Sequence, residues 1–120
     1  MKTILTITTA LLLTAPVLAH EAKGPHGGRL VDAGSMHVEL VAKGAVVDVY
    51  ISDGAGKPLD AGAYKGLAIL VVGGKPARIA LEPAGADRLT GTASAVFGPT
   101  LKGAVQITTP TGATVQGKFD

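Results

Sequence analysis

All three histidines of the chain, His20, His26 and His37, fall within eighteen residues, and Glu39 follows the last of them by two positions. Imidazole nitrogens and carboxylate oxygens form the donor set of Zn(II), Cu(II), Ni(II) and Co(II) sites, and intrinsic affinity in such a set favours Cu(II). Asp48 adds an oxygen donor if its strand pairs with the one that carries Glu39. The candidate metal ligands are therefore His20, His26, His37, Glu39 and Asp48, with Cu(II) or Zn(II) as the ion. There is no Cys, and Met36 is the only methionine after Met1, so the soft thiolate or thioether set that a Cu(I) carrier requires is missing.

The element that must position these groups is Ser35 to Ser52, SMHVELVAKGAVVDVYIS. Apolar and polar residues alternate at period two on either side of Lys43-Gly44, which is the pattern of a half-buried antiparallel hairpin. A two-residue turn at Lys43-Gly44 pairs Leu40 with Val47, Val38 with Val49 and Met36 with Ile51, all on one face. The opposite face then carries His37 across from Tyr50 and Glu39 across from Asp48. Two carboxylates facing each other cost roughly 0.2–1 kcal/mol. A cation between them would offset that cost. A solvated face neutralised by Lys43, Lys57 or Lys65 would do the same, and solvated faces are the ordinary condition of antiparallel sheets.

The chain has 120 residues, which suits one domain with one modest core. Residues 1–19 carry Lys2, an apolar run and the small-residue end Val17-Leu18-Ala19, the pattern of a cleaved secretory signal peptide. Cleavage removes one of the eleven Lys and Arg, leaving ten against nine acids and a net charge of +1. The mature chain would be periplasmic, with no membrane anchor. It would begin at His20, whose freed α-amine and imidazole together form a chelate, and His26 or His37 would complete the coordination. Such binding weakens in acid, because the ligands must shed protons before they coordinate.

Residues 20–28, HEAKGPHGG, lack apolar periodicity and read as a flexible arm rich in His and Gly. From residue 29 to 120 the chain reads as seven to eight short strands separated by Gly- and Pro-rich turns. Arg29 to Asp32 precedes the Ser35–Ser52 hairpin. Leu67 to Val72 and Ala77 to Glu82 form a second hairpin about the turn Gly73-Gly74-Lys75-Pro76. Leu89 to Ala95 places Leu89, Gly91, Ala93 and Ala95 inward. Val105 to Thr108 and Thr114 to Phe119 form a third hairpin. The fold class is all-β, a single antiparallel sandwich or barrel, with a thin core because Phe occurs only twice.

Three segments carry a resemblance to a known family: His26-Gly27-Gly28-Arg29-Leu30-Val31, then Met36-His37-Val38-Glu39-Leu40-Val41, then Val49-Tyr50-Ile51 with Asp53 and Gly56-Lys57-Pro58-Leu59. The stretch from His26 to about Leu70 resembles the N-terminal β-domain of the periplasmic adaptor (membrane-fusion) proteins of heavy-metal efflux systems, and small free-standing periplasmic relatives of it. The resemblance implies a periplasmic β-module that works with copper, zinc, cobalt or a similar cation. The chain lacks the helical hairpin and lipoyl-like domain of an adaptor, so its implied role is accessory, the buffering or hand-over of a divalent metal. The N-terminal His also resembles that of small periplasmic copper-resistance β-barrels.

Enzyme signatures are missing: there is no G-x-S-x-G, no HExxH, no P-loop and no Cys nucleophile, so an enzyme is not expected. Two Tyr, two Phe and a charge near neutrality give nucleic acid little to bind. The expected partners are a metal ion and, through the resemblance, an efflux-system component. A different class of function is equally compatible with the Thr-rich faces of the late strands: a metal-free β-sandwich interaction module docking on an envelope protein.

Overall fold

A computed structural model describes residues 22–120. Nine antiparallel strands form one sheet curled into a half-barrel: β1 Ala22–Lys23, β2 Arg29–Ala33, β3 Met36–Lys43, β4 Val46–Ser52, β5 Lys65–Val72, β6 Lys75–Pro83, β7 Arg88–Thr92, β8 Gly103–Thr108 and β9 Thr114–Phe119. Their spatial order is β1-β2-β3-β4-β7-β6-β5-β8-β9. The described residues include no α-helix, only a 3₁₀ turn at Ala61–Ala63 capped by Asp60. The all-β class read from the sequence is the observed one. The ninth strand is β1, which lies inside the stretch expected to be a flexible arm; its two residues pair with Leu30 and Arg29.

The hairpin of β3 and β4 keeps the expected faces but not the expected register. Lys43 pairs with Val46, Val38 with Ile51 and Leu40 with Val49, so the turn is Gly44-Ala45. Gly44 has φ +60° and Ala45 remains at negative φ, a combination that fits the type II′ hairpin turn, which takes glycine at its first central position. A turn at Lys43-Gly44 would put the Lys43 side chain in that place. The shift moves pairing by two residues, which preserves which side every residue faces. Gly44→Ala should therefore cost about 1–2 kcal/mol through the backbone alone, as nothing crowds a Cβ there. Chemical denaturation with an unchanged m-value would measure it.

Inward parity then builds the core. Val38, Leu40, Val47, Val49 and Ile51 from the first hairpin meet Ala68, Leu70, Leu89, Val105, Ile107 and Phe119. Strand β6 passes between the two halves of the sheet, pairing with β5 along most of its length and with β7 through Glu82 and Pro83. This switch lets one sheet wrap around a single core. Strand β9 packs against β2 without a ladder between them, and Gly117 leaves the space that Val31 fills. Arg29 crosses this seam: its guanidinium donates to the main-chain oxygens of Leu101 and Asp120 and lies 5.7 Å from the centre of the Phe119 ring. One inward expectation fails. Strand β7 ends at Thr92 and Ala95 is exposed, because the chain leaves the sheet to place Phe97 against the core, with its N–H donating to Gly44 O.

Candidate functional site

Glu39 lies on the outward face of β3, where a carboxylate would ordinarily be hydrated, yet it is 1 % exposed. Its cover is the connection between β1 and β2. Gly24 N–H donates to Gly28 O and Gly27 N–H to Gly24 O, closing a tight loop over the strand. The loop needs glycine at its base, since a Cβ on Gly24 would sit 2.1 Å from Glu39 Cδ. Residues 22–28 are thus built into the fold by the carboxylate they enclose, in contrast to the flexible arm expected from composition.

Glu39 is fully engaged by this loop. Its Oε2 accepts from His26 N–H at 2.9 Å and Gly28 N–H at 2.8 Å, while Oε1 lies 2.8 Å from His26 Nδ1. Such charge-assisted contacts are the stronger class of protein hydrogen bond and satisfy a group that would otherwise be costly to bury. Taken as an ionised carboxylate, Glu39 only accepts, so Nδ1 carries the imidazole proton and Nε2 keeps the lone pair. The His26 ring also stacks on Tyr50, with centroids 3.6 Å apart and planes inclined by 8°. Tyr50 is Glu39's partner across the ladder, so one cross-strand pair holds the imidazole from its edge and from its face.

The other predicted ligands are distributed differently. Asp48 does not face Glu39; it lies opposite Val41 and accepts from Thr90 Oγ1 at 2.8 Å. The two-residue register shift is the reason, and the repulsion that a bridging cation would have offset does not arise. His37 lies opposite Ser52, and its Nε2 is 3.2 Å from Asp32 Oδ1 on the neighbouring strand, an exposed pair worth little. His20 lies outside the described residues. Among the described residues no three His, Cys, Asp or Glu side chains converge as a metal-binding group.

His26, His37, Glu39 and Tyr50 nevertheless line one cleft of about 430 Å³, together with Ser52 and Asp87. Of the five predicted ligands the structure brings His26 onto Glu39, sets His37 in the same cleft and leaves Asp48 outside it. Gly24, Gly28 and Asp87 were missed. The usable signal was Gly24-x-His26-x-Gly28 together with a lone carboxylate in an otherwise apolar strand core, Val38-Glu39-Leu40. No family model, curated protein or solved structure matches this chain.

Proposed function

We propose that the protein is a periplasmic metal-binding module, accessory to copper or other heavy-metal handling, in which His26 Nε2 is the anchoring donor for a divalent transition metal. The observation that carries this reading is the buried Glu39 carboxylate on His26 Nδ1. A carboxylate in that position fixes the tautomer, aims the ring and makes the distal nitrogen a better donor, the arrangement repeatedly found behind metal-bound imidazoles. Glu39 acts through His26 rather than as a ligand, because its oxygens are already occupied. A site with one oriented imidazole, open to a cleft, suits buffering and hand-over better than permanent storage. The resemblance over His26 to about Leu70 and the signal-peptide pattern support the compartment.

Calorimetric titration of the mature protein with Cu(II) and Zn(II) tests the reading. His26→Ala should weaken Cu(II) binding by at least about tenfold, His37→Ala should have a smaller effect, and Lys102→Ala should have none. Placing one residue ahead of His20 reports whether the freed N-terminus contributes. Binding unchanged by His26→Ala would overturn the reading. Capture of an envelope protein that ignores chelator, together with a silent titration, would favour the metal-free interaction module.

A further inference from the structure

Resting on the metal reading, the cleft beside His26 defines the form in which the metal arrives. Tight protein sites for bare transition metals supply three or four donors. Here Glu39 is consumed by the loop, His37 has only a weak exposed pairing with Asp32 and no carboxylate orienting it from behind, and no three donor side chains converge among the described residues. One oriented nitrogen remains. The cleft that His26 lines is about 430 Å³, the range of small-molecule sites (roughly 300–1,000 Å³) rather than of ion cages. Its walls include Pro25, Leu30 and Pro58, which offer a hydrated ion nothing and offer methylene groups a surface to cover.

Asp87 supplies the polar counterpart. It is half-buried, lines this cleft and a second one of about 410 Å³ alongside His26 and Tyr50 in both, and its carboxylate makes no hydrogen bond or ion pair among the described residues. Its backbone is well held: Asp87 O accepts from Ile51 N–H at 3.0 Å, and the preceding Ala86 is the one non-glycine residue with positive φ among those described, at +49°. An unpartnered carboxylate at a fixed place beside a single imidazole is matched by a ligand that brings both a metal with one open position and N–H donors of its own.

We propose that the cleft takes a transition-metal ion already held by a small amine-bearing chelator, with His26 Nε2 displacing one water from the metal and Asp87 accepting hydrogen bonds from the chelator's N–H groups. Such a complex brings the donors that the protein lacks, and its carbon skeleton lies against Leu30, Pro25 and Pro58.

The probe is the Cu(II)–diethylenetriamine complex, whose three amines leave one strong equatorial position, titrated calorimetrically into the mature protein at physiological ionic strength. Binding at one-to-one stoichiometry is expected, at least about tenfold tighter than to a His-containing peptide. His26→Ala should abolish it. Asp87→Asn should weaken it roughly three- to tenfold with an unchanged melting temperature, whereas Glu82→Gln, an equal charge change on β6, should leave it unaltered. Binding no tighter than to the peptide, or unaffected by Asp87→Asn, would overturn the proposal. A parallel titration with bare Cu(II) separates the two failures: binding of bare ion through His26 without any gain for the complex removes only the chelate, and His26-independent behaviour of both removes the metal reading as well.

Discussion

Replacing Glu39 with alanine should destabilise the protein by about 2–6 kcal/mol, because the N–H groups of His26 and Gly28 are left in the loop with no acceptor, at roughly 1–3 kcal/mol each. Glu39→Gln separates stability from chemistry. Its amide oxygen still accepts from both backbone N–H groups, so the stability loss should be the smaller of the two. The amide nitrogen, however, then donates to His26 Nδ1, and the ring proton moves to Nε2. The Gln variant should therefore fold and still lose metal affinity by about 10–100-fold, the usual effect of removing a carboxylate behind a metal-bound imidazole. Chemical denaturation and Cu(II) calorimetry on both variants, with imidazole nitrogen shifts to read the tautomer, make the test. A Gln variant that binds Cu(II) as the wild type does would reduce Glu39 to a clasp for the loop.

Phe119→Ala should be the costliest core change, at about 3–5 kcal/mol. The ring is 1 % exposed, belongs to β9 at the end of the sheet, and carries the Arg29 guanidinium above it. Its removal opens a cavity where β9 packs on β2 without ladder hydrogen bonds, so side-chain packing, together with the Arg29 contacts, holds that seam. A fall in melting temperature of more than about 10 °C follows for a domain of this size. A loss under about 1 kcal/mol would show that the seam is held by backbone contacts instead.

Which way each side chain points was readable from the sequence with little error. Val38, Leu40, Val47, Val49 and Ile51 are all buried as alternation required, and so are Ile79, Leu81, Val105, Ile107 and Phe119. The turn segments Gly73 to Pro76 and Pro110 to Gly112 were equally plain, since the residues there carry the turn chemistry themselves, although Lys75 and Pro76 already belong to β6. Where inference reached past neighbours it weakened. The ends of the second hairpin, the extent of β7 and the sheet order from β4 to β7 depend on contacts that no short window contains.

Periodicity determined the faces by itself because the pleat repeats every two residues, and even the two-residue slip at Gly44-Ala45 left every face intact. It could not decide what lies across from a residue or on top of it. Glu39 is opposite Tyr50 rather than Asp48 because a backbone torsion at Gly44 sets the register, and it is buried rather than hydrated because a loop thirteen positions away in the chain closes over it. The candidate ligands were written in the sequence as residue types. Their placement, with Glu39 hydrogen-bonded to His26 and Asp48 opposite Val41, came only from the tertiary structure, since hydrogen bonding between distant segments is what turns a solvated polar face into an enclosed one.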